Sequence, residues 1–151
     1  MIFTFCFGCS EKYYEWKSEI NAKIFFGAEP KNEKFNLTFK KTKKTLYFRY
    51  VNQIDTTKTI AIRKIINSDT LLFGFDKFLK NNKKPFTNVE LQGLEFDYYD
   101  TIDNADDATG PILFNEKYGL LAIKNVFGPT IIFMDKKNDY QTEYIIDKLN
   151  E

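Results

Sequence analysis

The sequence predicts an α+β fold dominated by β structure. We expect a mostly antiparallel sheet of about seven or eight strands, open or curled into a half-barrel, with two or three short helices. Three observations carry this. The 151 residues include 16 Phe and 9 Tyr within an apolar fraction of 43%, and aromatic side chains fit a pleated, half-buried surface. Only 7 Gly and 4 Pro are present, too few for a low-complexity or collagenous chain. Between Lys34 and Val51 the apolar residues alternate with polar ones over two successive runs. That is the period of a strand with one buried face.

The elements follow in chain order. From Glu11 to Asn21 the spacing of Tyr13, Trp16 and Ile20 is helical and predicts a short amphipathic helix. A strand over Ala22–Ala28 follows, closed by Glu29-Pro30. Phe35, Leu37 and Phe39, then Leu46, Phe48 and Tyr50, form an antiparallel hairpin turning at Lys41-Thr42-Lys43-Lys44. Thr57–Ile66 is a further strand, with Ile60 and Ile62 on one side and Ala61, Arg63 and Ile65 on the other. Asp69 or Thr70 caps a short helix through Lys80, with Leu72, Phe75 and Leu79 on its apolar stripe, and Asn81–Pro85 turns. Val89–Tyr99 reads as a long strand whose phase shifts at Gln92-Gly93, the composition of a β-bulge. Tyr118–Val126 and Thr130–Asp135 are strands joined through Gly128-Pro129, and Asn138 with Gln141 forms a capping box for a last helix carrying Tyr140, Tyr144, Ile145 and Leu149. Neither an internal repeat nor a linker divides the chain, so residues 10–151 are expected to form a single β-rich domain.

Composition restricts the chemistry. With no histidine, the chain lacks the commonest general base and metal ligand, so Ser-His-Asp, Cys-His and His-rich zinc constellations are excluded. Two cysteines cannot make a structural zinc site alone. We expect no cofactor and no catalytic residue. Charge is unevenly distributed: from Lys31 to Lys84 fourteen basic residues stand against four acids, whereas Pro85–Glu116 holds eight acids and no base. With twenty Lys against two Arg, the forked guanidinium that favours nucleic-acid recognition is scarce, and no nucleic-acid partner is expected. Asp97, Asp100, Asp103, Asp106 and Asp107 crowd one segment, but Tyr99, Thr101 and Ile102 occupy positions where a calcium loop of the EF-hand type needs acids and a glycine. The segment reads as a solvated acidic loop and only weakly as a metal site. No run approaches the roughly 20 apolar residues of a membrane-spanning helix.

The amino terminus runs Met1-Ile2-Phe3-Thr4-Phe5-Cys6-Phe7-Gly8-Cys9, uncharged until Ser10-Glu11-Lys12. Phe7-Gly8-Cys9 resembles the lipobox that ends a bacterial lipoprotein signal peptide. The resemblance implies that residues 1–9 are a residual signal peptide and lipobox, with cleavage after Gly8. Cys9 becomes the lipid-attachment residue, and the domain is tethered to a membrane of the cell envelope, periplasmic or surface-exposed. Three features depart from the pattern: no Lys or Arg precedes Cys9, only eight residues do, and Cys6-Phe7 is not the usual aliphatic-then-small pair.

Cys6-Phe7-Gly8-Cys9 is also a C-x-x-C ahead of a predicted helix. With Gly128-Pro129-Thr130 it resembles the thioredoxin family, which implies a thiol oxidoreductase using Cys6 and Cys9. Three functional expectations therefore stand. The first is a non-enzymatic, membrane-tethered domain binding a protein partner or a small apolar ligand. The second is a thiol oxidoreductase. The third, on charge asymmetry alone, is a toxin-neutralising immunity protein.

Overall fold

Alternation alone commits a segment to a sheet but does not say how the sheet ends. The computed structural model, which describes residues 13–27, 29–102, 109–126, 128–135 and 141–151, answers that question. In chain order the strands are β1 (Tyr14–Phe25), β2 (Pro30–Lys41), β3 (Thr45–Asn52), β4 (Thr59–Ile65), β5 (Thr70–Phe73) and β6 (Asp76–Lys80). After these come β7 (Phe86–Thr87), β8 (Glu95–Thr101), β9 (Ile112–Asn115), β10 (Gly119–Ile123) and β11 (Thr130–Phe133). A helix, α1 (Gln141–Asn150), ends the chain. Each strand pairs antiparallel with its neighbour from β1 to β6 and from β8 to β11. β11 then pairs with β1 and β6 with β8, closing a ten-stranded up-and-down barrel. Closure removes the sheet edges that would otherwise template association. β7 is a short addition beside β8, outside the ring.

The lumen is filled by one parity of side chains. Register pairs Phe39 with Phe48, Leu37 with Tyr50 and Phe48 with Ile62, and Phe133 faces in opposite Ala22. The rings interlock across the barrel: Tyr50 lies 4.4 Å from Phe133 and Phe48 lies 5.4 Å from Phe114, centroid to centroid. The Leu120 amide donates to the Tyr50 hydroxyl at 2.8 Å, tying β3 to β10 through the middle of the lumen. Gly119 is the residue that permits this. Its φ is +93°, and a Cβ there would meet the Tyr50 hydroxyl and stand 2.8 Å from Phe48.

A second core lies outside the barrel wall. Phe96, Leu113, Leu121 and Ile132 face outward from β8–β11 and are covered by Ile145 and Leu149 of α1, with Phe86 and Met134 completing the layer. Strands buried on both faces read as unbroken apolar runs rather than alternation. Leu120-Leu121-Ala122-Ile123 and Ile131-Ile132-Phe133 have that character.

The β-dominated reading is correct, and three elements are corrected. Residues from Tyr14 on are strand, not helix, because β1 pairs with β2 along its whole length, Trp16 opposite Phe39 and Ile20 opposite Phe35. Trp16 and Ile20 are four apart, a spacing both periods share, and the long-range ladder decides between them. Asp69–Lys80 is a β5–β6 hairpin, not a helix. Leu71, Phe73 and Phe78 join the lumen, while Gly74 at φ +60° and Phe75 make the turn. Gln92-Gly93 is not a bulge in one long strand. Val89–Leu91 is a 3-10 turn ended by Gln92 and Gly93 at φ 56° and 68°, and β8 starts after it. The ladder irregularity falls instead in β10, between Leu120 and Ala122. One helix stands among the described residues where two or three were expected. β9 was not anticipated, and the ring is closed rather than open or half-closed. The capping residue Asn138 lies outside the described residues.

Candidate ligand-binding site

The barrel has two unlike ends. At the entry end, where β1 begins, inward-facing positions are charged. Lys64 continues the parity of Ile60 and Ile62, so its stem lies in the lumen and it is only 4% exposed. Its ammonium donates to the carbonyls of Ile65, at 2.9 Å, and Ser68, and it stands 3.5 Å from Glu116. Beside it Lys80 and Asp97 pair at 2.9 Å. Each buried charge has partners, as burial requires. This end is a polar plug.

At the other end, where β1 finishes, the lumen opens. A cavity of about 320 Å³ is lined by Ile24, Phe35, Ile60 and Ile131 from the barrel wall, with Phe26 and Pro129 at its lip. The interlocked rings below stop it from running through the barrel. Its polar wall is a small network. Asn52, 2% exposed, donates its amide to one Glu33 oxygen, and Lys58 pairs with the other at 3.0 Å. The Asn52 carbonyl oxygen accepts the Ile54 and Asp55 amides, each at 2.9 Å, which fixes the β3–β4 loop over the opening. Thr57 donates to the Asp55 carboxylate and holds its pKa below the ordinary carboxylate value. An apolar floor with a few convergent polar groups is the usual make-up of a small-molecule site.

Sequence reasoning singled out none of Glu33, Asn52, Lys58 or Lys64. The signal was parity. Glu33 shares the inward phase of Phe35, Asn52 that of Phe48 and Tyr50, and Lys64 that of Ile62. A polar residue on the apolar phase at a strand end marks a barrel mouth or plug. Of the expected acidic cluster, Asp97 faces the lumen in its pair with Lys80, and Asp100, on the other face, accepts from Asn81 at 2.6 Å. Asp103, Asp106 and Asp107 lie outside the described residues, as do Cys6 and Cys9. Among the described residues no group of three or more acids or cysteines is placed to hold a metal. Every strand pairing described is antiparallel, so no parallel βαβ unit of the thioredoxin kind is among them.

No family model, curated protein or solved structure matches the chain.

Proposed function

We propose that this chain is a non-enzymatic binding module that takes a small apolar ligand into the open mouth of its barrel. The observation that carries the reading is the cavity of about 320 Å³ over Ile24, Phe35, Ile60 and Ile131. Its size falls at the lower end of the roughly 300–1,000 Å³ of ligand pockets. The Glu33 carboxylate is already matched by Asn52 and Lys58, so the site favours an uncharged body. A single polar end on the ligand would meet Thr57, Lys58 and Thr59. The lipobox-like Phe7-Gly8-Cys9 supports tethering through acylated Cys9 to a bacterial envelope membrane. An anchor there would precede β1, which begins at the polar entry end, opposite the mouth.

The test is titration with an uncharged apolar dye such as 1-aminoanthracene, followed by fluorescence. We expect saturable binding that weakens at least about tenfold in Ile60→Trp, because the indole fills the cavity. A circular dichroism spectrum matching that of the unchanged chain serves as the folding control. Equal binding by the folded variant would sink the reading.

A second reading, the immunity protein, gains from one observation. On the outer face of β1–β6, Lys40, Tyr47, Arg63, Leu72 and Lys77 lie in register beside Lys17 and Arg49; Glu15 pairs with Lys40 and Lys17, which leaves Arg49, Arg63 and Lys77 as the basic groups suited to an acidic partner. A toxin encoded beside this chain, neutralised by it but not by the Arg49→Glu, Arg63→Glu variant, is the expected result. Neutralisation indifferent to those charges would remove the argument.

A further inference from the structure

Five loops surround the mouth, and among their described residues each carries one large apolar side chain in water. Phe26 in the β1–β2 loop is 70% exposed and Ile54 in the β3–β4 loop 96%; Phe75 at the β5–β6 turn is fully exposed. Ile102 after β8 and Val126 after β10 are about half exposed. The tight turns at the entry end carry Lys43 and Lys44, Asn67 and Asp69, and Glu116 and Lys117 instead. Exposed apolar residues scattered singly need no explanation, but one at the tip of every loop at the same end does. Elsewhere among the described residues the exposed large apolar side chains are Tyr13 and Tyr14 at the entry end and Tyr144 on α1, each ending in a hydroxyl, with Leu79 and Val89.

We propose that the mouth docks on a lipid surface. The five loop tips enter the headgroup layer and the barrel draws its apolar ligand from the bilayer. The inference rests on the ligand-binding reading and names the partner of that same site. Two features favour lipid over protein. Among the described residues the apolar tips stand one per loop with charged neighbours between them, unlike the continuous core of the roughly 800 Å² per partner that a stable protein interface uses. The charges between them, among the described residues, are of both signs: Glu29, Asp55 and Asp76 alternate around the rim with Lys31, Lys58 and Lys124. A zwitterionic headgroup layer offers partners for both, whereas a strongly anionic surface would repel the acids. The lysine stems extend along the apolar tips while their ammonium groups stay in the polar layer.

The rim and an anchor at Cys9 would address different surfaces. From Cys9 to Tyr14 the chain spans at most about 18 Å. The 12 residues of β1, tilted in the barrel, rise about 30 Å from the entry end to the mouth. A bilayer holding Cys9 is therefore not the one the mouth touches when the barrel stands on it.

The experiment is co-sedimentation of the full chain with phosphatidylcholine vesicles. Phe75→Ser, at a fully solvated tip, and Ile102→Ser are each expected to lower vesicle partitioning about tenfold and to leave dye binding unchanged. Ile60→Trp should do the reverse, losing dye while keeping vesicles. The two readings thus fail separately. Absence of vesicle binding by the unaltered chain, or binding indifferent to both tip variants, overturns the proposal. A concentration-dependent dimer abolished by the tip variants without vesicle binding would assign the rim to a second copy instead.

Discussion

Tyr50 is the residue through which the lumen is locked. Its ring packs on Phe133, and its hydroxyl accepts the Leu120 amide at 2.8 Å from the far wall. Burial pushes its pKa well above the ordinary tyrosine value, outweighing the opposing effect of that amide. Tyr50→Phe removes the acceptor and leaves a buried N–H unpaired, so we expect a loss of about 1–2 kcal/mol at pH 7 by urea unfolding. The same substitution makes a second, opposite prediction. A group with a raised folded-state pKa contributes stability below its unfolded value, near 10, and that stability is lost as pH rises beyond it. The unaltered chain should therefore weaken above pH 10 by about 1.4 kcal/mol per pH unit from this residue. Tyr50→Phe should lack that part of the slope. Parallel alkaline profiles for the two proteins would show that Tyr50 ionises as easily folded as unfolded.

At the scale of elements, α1 shows what a single amphipathic segment contributes to a closed sheet. Its Ile145 and Leu149 are one turn apart and cover Phe96, Leu113, Leu121 and Ile132 on the outer wall of β8–β11. Ile145→Ala and Leu149→Ala should each cost about 2–4 kcal/mol, since the rigid wall cannot collapse into the space. Because the second core is separate from the lumen, neither change should weaken dye binding at the mouth. Loss of dye binding in proportion to lost stability would mean the two cores are one cooperative unit. The helix was legible in the sequence, since its i, i+4 pair has the right period and nothing competes with it. β5 and β6 were not: four and five residues are too short for alternation to outvote a chance helical spacing of Leu72, Phe75 and Leu79.

The whole molecule depends on a seam. β1 and β2 pair over their full length, whereas β6 and β8 meet across Phe78–Lys80 and β10 and β11 across Ala122–Ile123 and Ile131–Ile132. Native-state hydrogen exchange in rising urea should find amides of β2 and β3 opening only with global unfolding. The Phe78–Lys80 amides should open at lower free energy. Equal opening free energies would show that closure is as strong at the seam as in the long ladder. Glu33 lies on the long β1–β2–β3 ladders, whereas Ile131 on the cavity's other side belongs to the short β10–β11 ladder.

By itself the sequence determined the β character, the β2–β3 hairpin with its buried face, the β4 phase and the terminal helix. These follow from the period of neighbouring side chains, a local property. It also excluded histidine chemistry, a matter of composition. The tertiary structure alone decided that the sheet closes, which strands meet at the seam, and that Glu33, Asn52 and Lys58 converge beside an apolar cavity. Those pairings join residues far apart in the chain. Their register is set by how the lumen's aromatic rings fill a fixed cross-section, and no local pattern encodes that.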